Sequence, residues 1–569
     1  MDTVNDVDEI WLSLGTFGLY QRFQFLLCMV DIIPWAFVTM GFVFVAYKPP
    51  FSCNVDHISF GITNGSTNDG GDLVYGLCSV AIHNSSTNQT HMPITNCQHG
   101  INYSVPEDRT IVTEFDLVCD RGSMKDLTQT LLMLGLGVGA LLFTPMSDKF
   151  GRKPLNVSVH IVSFILSIGI SFSPNYIVYA ILRFLIGTTL SGFGLTASIL
   201  SLELFPRQNR GRFYSCGLFF WTTGCLLVVP ISYLCKNISW RYLQLALTLV
   251  STYSLIKYWL IDESLRWLIA NGKICQAKQI IERAARLNKT TPQKALAILD
   301  KITAENTLSV TANGTTICQI STTQVPEKNE VGNGTIVHEE KTAPMRTSIS
   351  ISDAAKNKHV IKVTLISWFM WMTNSLTYYG VFLMSTQLDG NRFLNYTLSS
   401  IIEYPAFFLQ INLINRIGRQ KTSILFHSIA GVSLITAAIL LATSDTTETI
   451  FASTALSLVG KFGITGSFST IYLYTPELYP TNLRNAGIGV SSTAGRVGGM
   501  IAPFAGFLYE KVIWAPGTVF GLMCLTVSFL TLFLPETHGR ELPQTLVELN
   551  TWYERKPPKQ KKKISNVEI

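Results

Sequence analysis

The sequence predicts an all-α polytopic membrane protein, with twelve transmembrane helices forming two parallel six-helix halves. Three observations predict it. Only 14% of the 569 residues are charged and 47% are hydrophobic, with mean hydropathy +0.30, whereas an average soluble protein is about 25% charged. Runs of about 20 mostly apolar residues, the length needed to cross a bilayer, occur twelve times. Two short patterns each occur twice at nearly equal offsets, as a duplicated six-helix unit requires. The excess of 44 Lys+Arg over 37 Asp+Glu fits membrane-flanking loops rather than nucleic acid.

In chain order the predicted spans are 22–46, 127–146, 155–173, 176–201, 213–234 and 240–261, then 360–385, 393–415, 422–443, 449–475, 485–509 and 513–534. The domain plan is an N-terminus 1–21, a first half 22–262 that includes a large loop 47–126, a central loop 263–359, a second half 360–534 and a basic tail 535–569. The first run is too long for a cleaved signal, and Met1–Gln21 lacks a basic n-region, so span 1 is read as an anchor.

Short-loop Lys and Arg set orientation. Lys149, Arg152, Lys153, Arg207, Arg210, Arg212, Arg416, Arg419 and Lys421, with Lys561–Lys563 in the tail, all fall on one side. That side, with both termini, is expected to be cytoplasmic in a plasma-membrane protein. Loop 47–126 is then exoplasmic; it carries nine Asp/Glu against four Lys/Arg. Its sequons at Asn64, Asn84, Asn88 and Asn102 are expected to carry glycans. Its cysteines Cys53, Cys78, Cys97 and Cys119 are expected to form disulfides in one of three possible pairings. Sequons at Asn288, Asn313 and Asn333 lie on the other side and are expected to be silent. In the central loop, 275–304 has helical spacing of Ile280, Ile281, Ala284 and Leu287, and 305–350 reads as a disordered linker.

The repeated patterns are Asp148 to Lys153 with Asn415 to Gln420, and Glu203 to Pro206 plus Arg210 with Glu477 to Pro480 plus Arg484. Their offsets are 267 and 274 positions. With these residues the chain resembles the major facilitator superfamily, although Thr144 and Lys149 replace the first Gly and the Arg of its signature between helices 2 and 3. Glu263 to Leu268 is similar to the element after helix 6 in its sugar and organic-ion carriers. The long first loop, Val118 to Asp120, Glu477 to Arg484 and Leu534 to Thr537 resemble the organic cation, anion and zwitterion transporter family. The stretches Trp371 to Gly380, Gly460 to Gly463 and Ser491 to Arg496 are closest in look to its carnitine/organic cation branch.

The resemblance implies alternating access between the halves and a mid-membrane site. Asp148, Arg152, Glu203, Arg210, Glu263, Arg266, Arg419, Glu477 and Arg484 are expected to act in gating, through acid–Arg pairs at the terminal helix ends. Ionisable residues inside the membrane cost about 2.5–3.5 kcal/mol each on insertion scales and so mark function. Glu403, Lys461, Arg496 and Asp31 are therefore candidates for the binding site. Arg496 suits a carboxylate, which its fork binds in a bidentate manner. Glu403 with Trp371, Tyr378, Tyr379 and Trp221 suits a quaternary ammonium. A buried Glu403–Lys461 ion pair and plain packing of the helix 7 aromatics are the structural alternatives.

The functional expectation is a carrier of small organic ions, zwitterions of carnitine or betaine type first, with sodium or exchange coupling. An organic-anion exchanger and a non-transporting receptor on a carrier scaffold are the alternatives. No enzyme motif, cofactor or metal site is expected. Lys561–Lys563 is expected to touch anionic membrane lipid, and Val567–Ile569 to fit a PDZ-type partner.

Overall fold

A computed structural model describes residues 2–53, 62–63, 66–67, 71–75, 78–84, 89–90, 95–96, 101–206, 210–308, 356–385, 390–444, 446–480, 483–540, 543 and 546–554. The predicted linker beyond residue 308 lies outside these residues, as do Lys561–Lys563 and Val567–Ile569 with their lipid and PDZ expectations, and Asn64, Asn88 and Cys97.

Twelve spans are present. Spans 1 to 6 are Leu19–Val45, Gly122–Phe150, Arg152–Ile170, Tyr176–Glu203, Arg210–Leu234 and 240–260. Spans 7 to 12 are Lys358–Met384, 392–416, Arg419–Thr443, Thr447–Leu478, 484–511 and Ala515–Thr531. Four are discontinuous for local reasons. Span 1 breaks at Asp31, where Pro34 cannot donate to the Val30 carbonyl, and span 8 breaks at Ile402, where Pro405 leaves Ile401 in the same position. Pro503 interrupts span 11, and a 3₁₀ stretch Val250–Tyr253 interrupts span 6.

The even number of spans places both termini on one face, here the terminal face, and loop 47–126 on the opposite loop face. Within each half, small residues bring helices together. A Cβ on Gly187 of span 4 would lie 2.1 Å from the Leu132 carbonyl oxygen of span 2. The duplicated loops share a second glycine device. Gly151 and Gly418 have φ of 105° and 94°, and a Cβ on either would strike a carboxylate, Glu263 at 2.5 Å or Glu536 at 2.3 Å.

Three segments are folded beyond what the sequence predicts. A helix Asp2–Ser13 packs Val7, Ile10 and Trp11 against the central-loop helices. The stretch 275–304, expected to be helical, forms two helices, Ile274–Asn288 and Gln293–Leu308, because Lys289 turns left-handed (φ 56°) and Pro292 follows. The large loop contains short antiparallel strands, among them Gly71–Tyr75 with Ser79–Asn84 and Phe51–Cys53 with Ile101–Tyr103. A Cys78–Cys119 disulfide ties it to the start of span 2, and Glu114 pairs with Arg241 and accepts from Trp240 at the start of span 6. Asn102 is exposed on its strand.

Candidate functional site

The halves meet at mid-depth through a polar network. Glu403, at the break of span 8, is fully buried. Its Oε1 accepts from Tyr378 Oη at 2.6 Å and pairs with Lys461 Nζ at 3.0 Å, and its Oε2 accepts from Thr222 Oγ1 at 2.6 Å. Trp221 Nε1 donates to Tyr378 Oη at 2.7 Å. Thr222 and Trp221 belong to span 5, whereas the others belong to the second half, so one carboxylate ties the halves together. Lys461 also sits 3.2 Å from the Tyr378 ring centroid. The ammonium and carboxylate of this pair neutralise each other and share further donors and rings, the condition under which a buried pair is tolerated.

Arg496 lies beside this network on span 11. Its Nη1 donates to the Leu136 carbonyl of span 2 at 2.6 Å, again across the halves. Tyr379 and Tyr472 are its electrostatic neighbours. Among the described residues no carboxylate pairs with it. Tyr379, Phe468, Tyr472 and Trp221 are part-exposed around Arg496 and Tyr378, with Tyr379 edge-on to Tyr378 at 5.4 Å. The arrangement therefore offers one uncompensated guanidinium and several ring faces, suited to a carboxylate and a cation respectively. Trp371 stands apart from Trp221 and Tyr378. It is buried in the second half, donates to Thr475 at 2.9 Å and packs edge-on against Tyr472.

Asp31 is in neither group. It is buried inside the first half, accepting from Lys257, Tyr253 and Asn156, with His160 Nδ1 3.5 Å away.

Residues 122–503 match the Major Facilitator Superfamily. The chain belongs to that superfamily. It is 30% identical to an organic cation transporter protein of Drosophila melanogaster, over 97% of this chain and 96% of that one. The organic cation/carnitine transporter 2 of Rattus norvegicus is 30% identical over 96% of this chain and 94% of its own length. Organic anion transporter 3 of Mus musculus is 29% identical, covering 96% and 95%. A structure of the xylose transporter XylE from E. coli in an inward open conformation superposes with a TM-score of 0.59 at 14% identity, over 93% of this chain and 98% of that one. The protein is an alternating-access transporter and not an enzyme.

In this major facilitator protein the terminal-face motifs are ordered within each half. Arg152 pairs with Asp148 at 3.0 Å and with Glu203 at 3.7 Å. Arg419 grips Glu477 through Nε at 3.1 Å and Nη2 at 3.4 Å, joined by Thr537 and His538. Arg484 donates to the Pro476 carbonyl at 2.9 Å, and Arg266 pairs with Asp8. Glu263 accepts the backbone N–H groups of Arg152, Lys153 and Ser264, a carboxylate at a helix N-terminus. Burial pushes its carboxyl up, and those N–H groups oppose the shift. Glu536 repeats the arrangement on Arg419 and Gln420. Glu536 lies 273 positions after Glu263, one residue short of the second repeat offset. Thr222 and Tyr472 carried no sequence signal beyond lying in spans, whereas Lys257 is an ionisable residue inside the predicted span 240–261 and was open to the same criterion as Asp31. The side chain of Arg210 lies outside the described residues.

Proposed function

We propose that the protein is a plasma-membrane carrier for small organic ions that bear a carboxylate, zwitterions of carnitine or betaine type foremost, with the loop face exoplasmic. The observation that carries this reading is the contrast between Arg496 and the buried acids. Glu403 is matched by Lys461 and Asp31 by Lys257, whereas Arg496 has no carboxylate among the described residues. The uncompensated charge at the centre is positive. It attracts a carboxylate, while the part-exposed faces of Tyr379, Phe468, Tyr472 and Trp221 take an ammonium group. The relatives named organic cation/carnitine transporters support the same substrate class. A second reading, an organic-anion carrier, draws on the occupation of both Glu403 oxygens by protein donors, which leaves no free acid for the ammonium.

With the loop face outside, the terminal-face motifs form the inner gate, and their pairs exchange partners across the halves when the outer side opens. The basic short loops support this orientation. So does Asn288, whose sequon is predicted to be silent. Its amide donates to the Leu14 carbonyl and to Gln21 and accepts from the Tyr20 N–H, so a glycan on Nδ2 would remove at least one of its two donated bonds.

The test is uptake of carnitine, tetraethylammonium and a simple carboxylate, with and without sodium, at matched surface expression. Arg496→Asp is expected to abolish carnitine uptake and retain tetraethylammonium, with Arg496→Lys intermediate because it loses the fork. Unchanged carnitine uptake in Arg496→Asp overturns the binding role. Uptake of the simple carboxylate without carnitine selects the second reading.

A further inference from the structure

Several charges at the loop face are paired. Lys48 pairs with Glu510 at 2.9 Å, Lys125 with Asp126 at 3.7 Å and Arg241 with Glu114. Arg109, Lys236 and Arg392 pair with no carboxylate among the described residues, yet they line one pocket of about 180 Å³. The pocket lies where the large loop meets the ends of spans 1 and 5 and the start of span 8. Aromatic faces and backbone, rather than acids, hold its cations. Arg392 sits 3.8 Å from the Tyr47 ring centroid and Lys236 4.2 Å from that of Tyr233, while Arg109 donates to the Lys236 carbonyl at 3.3 Å. The Arg109 Nε is buried without a hydrogen-bond partner. Ser104 and Asn237 add polar lining, and Phe44 and Phe393 form an apolar wall.

We propose that this pocket is a binding site for small carboxylates, an outer station distinct from Arg496. Three convergent cations repel one another, and an anion relieves that repulsion while giving the orphaned Nε an acceptor. The station rests on the functional reading above in holding the same charged group of the substrate. It lies on the loop side of the aromatic contacts by which Phe393 closes the halves, 5.2 Å from Phe44 and 5.3 Å from Tyr233. A carboxylate held there is concentrated at the seal before the seal opens. Lys236 and Arg392 also line the adjoining vestibule of about 1300 Å³, which provides the approach.

The experiment uses the full-length protein. In cells, Lys236→Gln and Arg392→Gln are expected to raise the half-saturation concentration for carnitine at least fivefold, with maximal rate per surface molecule within twofold of wild type. Tetraethylammonium uptake is expected to stay within twofold. Lys511→Gln, which removes a vestibule lysine outside the pocket, controls for general steering and is expected to change half-saturation less than twofold. Arg392→Lys is expected to recover part of the loss. Equal effects of Lys511→Gln and Lys236→Gln, or unchanged half-saturation in both pocket variants, overturn the proposal. Binding of radiolabelled benzoate to purified Arg496→Leu protein separates this idea from the transport reading. Saturable binding lost in Arg496→Leu/Lys236→Gln is expected even if carnitine is no substrate. Its absence from Arg496→Leu itself overturns the outer station.

Discussion

Two lysine–carboxylate pairs are buried in the spans, Asp31–Lys257 and Glu403–Lys461, and each acid lies close to a proline-associated break in its helix. They differ in what they join. The hydrogen-bond and ion-pair partners of Asp31, which is on span 1, come from spans 3 and 6 of the same half: Asn156, His160, Tyr253 and Lys257. Glu403 gathers Tyr378 and Lys461 from its own half and Thr222 from the other. Halves that rock as rigid bodies keep the first cluster intact through the cycle and must remake the second. The first pair therefore holds a half together, and the second helps decide when the halves part. The second half also contains a neutral counterpart of the first cluster. His427, 267 positions after His160, bonds Asn374, which in turn accepts from Ser467, with no carboxylate in that cluster among the described residues. A buried ion pair is thus not required at that place in the fold.

The largest expected effect comes from breaking the intra-half pair. Asp31→Ala strands Lys257, and removing one partner of a buried pair costs about 3–5 kcal/mol. Surface expression and the melting temperature of detergent-solubilised protein are expected to fall sharply, with partial recovery in Asp31→Asn/Lys257→Met. A stable Asp31→Ala that loses only transport would place Asp31 in the binding site instead. The reverse change, Asn374→Asp, introduces a charge where the second half has none. It is expected to lower the melting temperature, because a carboxylate there has no cationic partner among the described residues and an unpaired buried ion costs more than a neutral polar group. Little or no shift would show that this site already tolerates charge.

Thr222→Val removes one hydrogen bond to a carboxylate, worth about 1.5–3 kcal/mol, but only in the state in which the halves meet here. Its melting temperature is expected to change little. Cysteine accessibility on the terminal face is expected to change at least fivefold as the conformational balance shifts, and unchanged accessibility would make the contact incidental. The smallest stability effect is expected for Asp148→Asn. Asp148 is 69% exposed, and such pairs contribute about 0–1 kcal/mol. Slower uptake at normal stability would support the gate role, whereas normal uptake would leave Asp148 a solvated loop charge.

The fold was legible because bilayer thickness imposes a length on each apolar run. The predicted 176–201 and 422–443 fall inside Tyr176–Glu203 and Arg419–Thr443. The helix Asp2–Ser13 was not legible, because its apolar face is explained only by the central-loop helices it covers. The division at Lys289 is legible in Pro292, which cannot continue a helix from Asn288. For the site, hydropathy identified Glu403, Lys461, Arg496 and Asp31 as ionisable residues in spans; the Glu403–Lys461 pair, expected as a structural alternative, is present, whereas the partners of Asp31 and Arg496 were not legible. A span shows its charges, whereas pairing depends on helix rotation and on neighbours far along the chain. Asp31 and Lys257 are separated by 226 positions. Hydroxyl partners such as Thr222 are common in spans and give no periodic signal.

The docking of the N-terminal helix also sets an order of events during synthesis. Asn288 holds Leu14, Tyr20 and Gln21 from 274 positions away at its contact with Leu14. At about 5–20 residues per second, the ribosome needs roughly 14–55 s to cover that distance. The first segment made on the terminal face therefore waits, with its apolar side uncovered, until six spans have been threaded and the central helices emerge. Closure of the first half then reports that all six of its spans have been made.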